Sequence, residues 1–458
     1  MPLSRLEKMG VNRMTRPTAA IILAAGQSTR MKSAKSKVLH EIGGRSLLAH
    51  VLATCEGLKL DRIAVVSGPD GEDVRAATEG AGALSVIQDP PLGTGHAVLA
   101  AKDAIANFKG DLVILYGDTP LIEAGTIEQM FSARADGADL VVLGFHAADA
   151  APYGRLVMDG DQLARIVEAK DATAQERKID FVNSGVMVAD AKTLMDLLSK
   201  VTNNNANAEY YLTDVVGLAN DAGLACSAIE CPEEEVLGVN SRVELAAAEA
   251  ALQKRLRLRA IEAGATMVAP ETVFFSFDTE LAPDCWIGPN VVFGPGVKVG
   301  EGAVIKSFSH LEGASIGAGA QVGPYARLRP GAKLDKDAKV GNFVEIKKAH
   351  IEEGAKVNHL TYIGDARVGA GANIGAGVIT CNYDGFDKFF TDIGAGTFIG
   401  SNTSLIAPVV VEAGAYVGSG SVITKHVEED ALALTRPEFK QIKGWAAKFR
   451  ARKNKSKD

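Results

Sequence analysis

Residues 316–346 read IGAGAQVGPYARLRPGAKLDKDAKVGNFVEI. An aliphatic side chain stands at Ile316, Val322, Leu328, Leu334, Val340 and Ile346, a constant step of six. An α-helix repeats at 3.6 residues and a strand at two, so neither sustains this step over such a length. A short strand followed by a corner does, when three such units close a coil: this is the hexapeptide signature of a parallel β-helix. The series extends both ways. It runs through Phe275, Leu281, Ile287, Phe293, Val299, Ile305 and Leu311 before the quoted stretch. Ile351, Val357, Ile363, Val368 and Ile374 follow it, and after a gap Ile393, Ile399, Leu405, Val411, Val417 and Ile423. Each is expected to point into a narrow prism whose corners are small residues, roughly eight coils in all. The period fails once, at residues 381–392 (CNYDGFDKFFTD), and an insertion in a solenoid marks a loop on a functional face.

Composition supports this division. Of 48 glycines in 458 residues, 24 lie between Phe275 and Thr424, with no G-X-Y triplet repeat and with abundant Val and Ile, which excludes collagen and disorder. The length requires more than one core. A net charge of −7 argues against general nucleic-acid binding. No stretch is apolar enough to span a membrane, and no secretory leader is evident, so a cytoplasmic protein without membrane or nucleic-acid partners is expected. Five scattered cysteines, Cys55, Cys226, Cys231, Cys285 and Cys381, suit neither a disulfide framework nor a zinc cluster.

Upstream, apolar runs alternate with helical patterns. AAIILAAG from Ala19, RIAVVSG at 62–68 and DLVILYGD at 111–118 read as buried parallel strands. Leu47–Cys55 and Ala97–Ala106 read as helices between them. This predicts a Rossmann-like, mostly parallel α/β sheet with ligands beyond the carboxyl ends of its strands. SRVELAAAEAALQKRLRLRAIEAG at 241–264 reads as a long connecting helix, opened by a Ser241–Glu244 capping box and closed at Gly264.

The loops hold the chemistry. Leu23-Ala24-Ala25-Gly26 ends the first strand, with Arg30 and Lys37 downstream. It reads either as a tight turn or as a backbone cradle for phosphate or base. Gln88 with Gly93-Thr94-Gly95-His96 suits close approach to a planar base, or is a plain loop. Tyr116-Gly117-Asp118 ends another strand, where the carboxylate is either a helix cap or a Mg²⁺ ligand. Tyr153-Gly154-Arg155, Glu168, Asn183, the segment Glu209–Asp214 and Gly238-Val239-Asn240 are weak singly; their order and spacing are not.

From about Thr18 to Trp445 the chain resembles the bacterial bifunctional N-acetylglucosamine-1-phosphate uridyltransferase / glucosamine-1-phosphate N-acetyltransferase family. LAAGxxTRM, KVLH, GTGHA, YGD, EYYLTD and GVN match its first half, and GPYARLRPG, GNFVEIKKA, HLTYIGDA, NIGAG and TCNYDG its second. Residues 1–17 read as a polar, basic extension, 243–263 as a linker helix and 436–458 as a basic tail. The resemblance implies a uridylyltransferase domain at 18–242, a left-handed parallel β-helix acetyltransferase domain at 264–435 and a homotrimer. In the first half, Leu23, Ala24, Ala25, Gly26, Gln88, Gly93, Thr94, Tyr116 and Gly117 would hold the uridine nucleotide. Arg30 and Lys37 would face phosphates, Asp118 and Asn240 would bind Mg²⁺, and Gly154, Glu168 and Asn183 would hold N-acetylglucosamine.

In the second half, His359 would be the general base. Arg329 and Lys347 would bind the sugar phosphate and Tyr362 and Asn373 its hydroxyls. Ala376, Asn382, Tyr383, Ser401, Ser419 and Arg436 would contact acetyl-CoA, with Lys388 assisting. UTP and acetyl-CoA would be co-substrates alongside the sugar phosphates. Two residues depart from the family pattern, Ser28 for a glycine and Ser36 for a proline; both are expected in exposed loops. A competing reading makes the coil a mere assembly element; His359, Lys347 and Tyr362 speak against it.

Overall fold

The computed structural model describes residues 16–26, 29–205 and 207–454. Two compact units separate between Arg255 and Leu256. Residues 1–15, Ser28 and the last four residues of the basic tail lie outside the described residues. The end of the expected extension belongs to the first unit: Arg16 pairs with Asp111 at 3.1 Å and with Asp190 at 2.6 Å.

The first unit is built on a sheet ordered Cys226–Glu230, Leu140–His146, Phe181–Asp190, Asp111–Tyr116, Thr18–Ala24, Arg62–Ser67 and Leu84–Ile87. Neighbours along this path are parallel except at Phe181–Asp190, which is antiparallel on both sides. Alternate residues of the first strand enter different cores: Ala19, Ile21 and Leu23 one, Ala20, Ile22 and Ala24 the other. Burial on both faces is why these strands read as unbroken apolar runs. The hairpin of Arg155–Asp159 and Gln162–Val167 lies off the main path. The helix Leu47–Gly57 forms as expected; the one expected over 97–106 runs instead over Thr94–Ala100 and gives way to turns.

The helix Arg242–Glu262 closes at Gly264, whose φ is +101°. Its early buried residues are Ala248 and Leu252, and beyond the unit boundary Leu256 and Ala260 pack on the second core. The capping box is offset by one residue. Ser241 Oγ accepts from the Glu244 N–H, but the Glu244 carboxylate accepts from the Asn240 N–H at 2.7 Å.

The second unit is a parallel β-helix of the hexapeptide class, whose strands are mostly two or three residues long. One ladder holds ten strands, from Thr266–Met267 to Leu432–Ala433. It therefore runs beyond both ends of the sixfold series, because its terminal rungs keep backbone pairing without a strict aliphatic. Ile287, Ile305, Leu311, Leu328, Ile346, Val357, Ile363, Ile393, Ile399, Leu405 and Val411 are wholly buried in one core. The period survives one step past Ile374: Thr380 takes the aliphatic position, paired with Leu405. Its hydroxyl accepts from the Gly364 N–H at 2.8 Å and donates to the Gly364 carbonyl at 3.1 Å. The loop beyond closes as a hairpin, with Tyr383 bridged to Lys388 and the Phe389 N–H donating to the Asn382 carbonyl at 2.9 Å. The exposed helix Trp445–Asn454 within the basic tail was not legible as a helix in the sequence.

Candidate functional site

In the sheet unit, parallel strands bring their carboxyl ends to one edge, and the expected residues collect there. Lys37 stands on the short turn Lys37–Leu39. Its ammonium donates to the Asp118 carboxylate and, at 2.7 Å, to Asn240 Oδ1. A Cβ on Gly26 would lie 3.7 Å from Lys37 Nζ, so the first loop borders the same cluster. Asp118 follows the strand Asp111–Tyr116, and its carbonyl accepts from the Val239 N–H at 2.9 Å, which pins the segment before Asn240. Gly117 donates to the Leu23 carbonyl at 2.9 Å, joining the two strand ends. Arg30 lies exposed on the turn Thr29–Met31. Ser36 is half-buried rather than exposed, because its carbonyl opens the turn that carries Lys37.

A carboxylate and an amide oxygen converging on one cation are hard donors, and two protein oxygens completed by waters and phosphates suit Mg²⁺. No cluster of three or more His, Cys, Asp or Glu poised for a metal occurs among the described residues.

A second group surrounds Gln88. Its amide nitrogen donates to the Gly93 carbonyl at 2.9 Å and meets His96 Nδ1 at 3.2 Å. Gly93 has φ +107°, and a Cβ there would sit 2.8 Å from the Tyr210 carbonyl oxygen. Gly95 donates to that carbonyl at 2.8 Å, and Thr94 Oγ1 accepts from the Leu212 N–H at 3.0 Å. These glycines thus admit the Glu209–Asp214 segment against the loop. A planar ligand is not needed to explain them.

A third group joins Gly154, Glu168 and Asn183. The Asn183 N–H donates to the Gly154 carbonyl at 2.8 Å, and a Cβ on Gly154 would lie 3.6 Å from Glu168 Oε2. The pairing of Phe181–Asp190 with Leu140–His146 shifts register between Asn183 and Met187, so Asn183, still paired with Gly144, is the last rung before a bulge. Thr213, within the Glu209–Asp214 segment but assigned no role by the sequence, donates to Glu168 Oε1 at 3.0 Å. Tyr116 links the groups: its ring fills the space over Gly185, at φ +90°. Burial, with Asp118 and Glu168 nearby, pushes its phenol above the ordinary value, so it stays neutral.

In the coil unit, the corners of successive coils stack. The Leu360 N–H donates to the Asn342 carbonyl, Gly377 to His359, Asn402 to Ala376 and Gly420 to Ser401, at 3.1, 3.2, 2.8 and 2.8 Å. Arg436 Nε then donates to the Ser419 carbonyl at 3.3 Å. Asn342, His359, Ala376, Ser401, Ser419 and Arg436 consequently form one row along a single edge. At about 4.8 Å per coil the six residues span roughly 24 Å.

The remaining expected residues flank it. Arg327, Glu345, Tyr362 and Ile379 form a parallel row, and Arg329 pairs with Glu345 at 2.9 Å. The Tyr362 hydroxyl would stand 2.3 Å from a Cβ on Gly364, so that glycine admits the ring. Lys388, from the inserted hairpin, meets Lys347 and pushes its ammonium below the ordinary lysine value. Two adjacent cations suit a dianion such as a phosphate monoester. Asn382 donates to the Asp365 carboxylate, anchoring the base of the hairpin. Asn373 lies on the ladder between Lys356 and Phe398.

Residues 20–183 match the MobA-like NTP transferase domain, and residues 278–313 and 390–425 the bacterial transferase hexapeptide (six repeats). Relatives align along nearly the whole chain. A protein of Maricaulis maris, "Bifunctional protein GlmU", is 58% identical over 97% of this chain and 98% of its own. The protein of that name from Rhodospirillum rubrum is 58% identical over 95% and 97%, and that from Paramagnetospirillum magneticum 54% over 94% and 96%.

Proposed function

The chain belongs to the bifunctional GlmU family, and from that premise we propose how its two sets of residues divide the work. It is a bifunctional enzyme of UDP-N-acetylglucosamine synthesis, a Mg²⁺-dependent nucleotidyltransferase and an acyltransferase. Acetyl-CoA first acetylates glucosamine 1-phosphate; UTP then uridylylates the product and pyrophosphate leaves. The observation that carries the assignment of residues is the single corner row, which sets His359 in line with Ala376, Ser401, Ser419 and Arg436.

In acetyl transfer, Arg329, Lys347 and Lys388 hold the sugar phosphate, and Tyr362 and Asn373 its hydroxyls. Asn382, Tyr383 and the corner row hold the acyl donor. The sugar amine attacks the thioester carbonyl as His359 takes its proton; the carbon–sulfur bond breaks and CoA leaves as the thiol. In uridylyl transfer, Leu23–Gly26, Gln88, Gly93, Thr94, Tyr116 and Gly117 hold the nucleotide, and Gly154, Glu168 and Asn183 the sugar. A phosphate oxygen of the sugar attacks the α-phosphorus in line, and pyrophosphate leaves. Lys37 and Arg30 offset the charge. Asp118 and Asn240 would hold Mg²⁺, which would supply charge neutralisation at the phosphates.

We propose domain limits at 18–242 and 264–435, with the helix between them as linker. A homotrimer is supported by an exposed apolar column on the coil, Phe308, Tyr325 and Phe343, with successive rings stacked at 4.9 and 5.3 Å. A cytoplasmic setting accords with five free cysteines. No described helix is long and apolar enough to cross a membrane.

One assay tests the reading. Given glucosamine 1-phosphate, acetyl-CoA, UTP and Mg²⁺, the protein releases free thiol and then pyrophosphate. With N-acetylglucosamine 1-phosphate and UTP it releases pyrophosphate alone. Absence of either product defeats the corresponding half.

A further inference from the structure

The corner row starts one coil before the proposed base, at a residue given no role above. Asn342 and His359 end neighbouring strands, Lys339–Asn342 and Lys356–His359, which pair in register at Lys339 with Lys356, Val340 with Val357 and Asn342 with His359. The two side chains therefore share one face of one ladder. Asn342 Oδ1 lies 2.7 Å from His359 Nδ1.

The surrounding backbone fixes this meeting. A Cβ on Gly341 would come within 1.9 Å of the Asn358 carbonyl oxygen, so the coils press together one residue before the pair and tolerate no side chain there. The His359 carbonyl accepts from Thr361 Oγ1 at 2.6 Å and from the Gly377 N–H at 3.2 Å, which holds its peptide between the next corner and the next coil. Phe343 and Leu360, each immediately after a member of the pair, have φ of +54° and +51°. Both strands thus end in the same left-handed corner and present their last side chains alike.

The chemistry follows from what an amide oxygen can do. It accepts and never donates, so the proton of a neutral imidazole facing it resides on Nδ1. Nε2 then carries the lone pair. A general base needs an unprotonated nitrogen aimed at the substrate, and an imidazole in the other tautomer presents an N–H instead.

We infer that Asn342 is a positioning residue for acetyl transfer: it holds His359 in the Nδ1–H tautomer and fixes the ring, leaving Nε2 as the proton acceptor. This rests on His359 being the base. Asn342 touches neither reacting atom and acts only through the imidazole, as outer partners of histidine ligands do.

Steady-state kinetics of the full-length protein with ¹⁵N NMR of its histidine rings tests the inference. Asn342→Ala is expected to lower kcat for acetyl transfer about 10–100-fold, the usual cost of losing such a partner, with KM for both substrates unchanged. Asn342→Asp, whose carboxylate accepts the same proton, restores most of the rate; Asn342→Leu does not. The wild-type ring shows the Nδ1–H pattern and Asn342→Ala a mixture of tautomers. An unchanged kcat in Asn342→Ala, or an Nε2–H pattern in the wild type, overturns the inference. His359→Ala separates the two layers. Retained acetyl transfer in that variant removes the base assignment, whereas its loss together with a normal Asn342→Ala removes only the positioning role. Because Asn342→Asp preserves side-chain size, it keeps the test decisive where Asn342→Ala fails to fold.

Discussion

The two units gather the side chains proposed to act over different distances along the chain. In the sheet unit, Lys37 reaches Asp118 and Asn240 across 81 and 203 residues. In the coil unit, Asn342 reaches His359 across 17. A sheet assembles its edge from loops that only the strand order brings together, whereas a coil sets each side chain above the one a turn earlier. The glycines differ in the same way. A Cβ on Gly26 would touch only the end of Lys37 at 3.7 Å, while one on Gly341 or Gly400 would strike backbone of the next coil at 1.9 or 2.4 Å. Gly26 leaves room beside a site, whereas Gly341 and Gly400 let the coils close, as Gly93 lets the Tyr210 backbone approach in the first unit.

That contrast can be broken by experiment. The largest effects should be functional and confined to one half. Removing Mg²⁺ with a chelator should stop pyrophosphate release and leave thiol release intact; loss of both would show that the sites do not act separately. His359→Ala should do the reverse, lowering acetyl transfer about 10²–10⁴-fold at normal uridylyl transfer. Next comes a packing effect. Gly341→Ala should cost about 3 kcal/mol, seen as a lower denaturant midpoint for the coil, because the neighbouring atom is backbone and cannot swing aside. Thr380→Val should cost about 1–2 kcal/mol by the same measurement, since it leaves the buried Gly364 N–H without its acceptor. The smallest shift is expected at Gly26→Ala, within about 0.5 kcal/mol in stability but with a raised KM for UTP. A large loss of stability there would place that glycine with the corner glycines of the coil.

Much of this organisation was legible in the chain. The sixfold step located the coil and its one insertion, and the apolar runs located the strands that end at Ala24, Ser67 and Tyr116. Other features were not legible, the helix Trp445–Asn454 and the half-burial of Ser36 among them. The helix expected to reach residue 106 stops at Ala100, where the pattern alone could not mark an end. Thr213 lies inside a quoted motif, but its bond to Glu168 joins segments 45 residues apart. Glu244 was read as capping Ser241, and its carboxylate instead secures the backbone of Asn240, a one-residue offset that helix propensity does not encode. Asn342 had a usable signal, since it stands one coil before His359.

The sequence alone determined what repeats locally: the hexad core, the buried strands, and the side chains that must stack a coil apart. Its motifs also carried the family. Tertiary structure decided what depends on closure between distant segments. It set the convergence of Lys37, Asp118 and Asn240 and the packing of Tyr210 against Gly93. It also set the imidazole nitrogen of His359 that faces an amide oxygen. Periodicity is written in residue types because each coil buries the same kind of side chain. Convergence is not, because a single hydrogen bond between far-apart loops imposes no pattern on the residues between them.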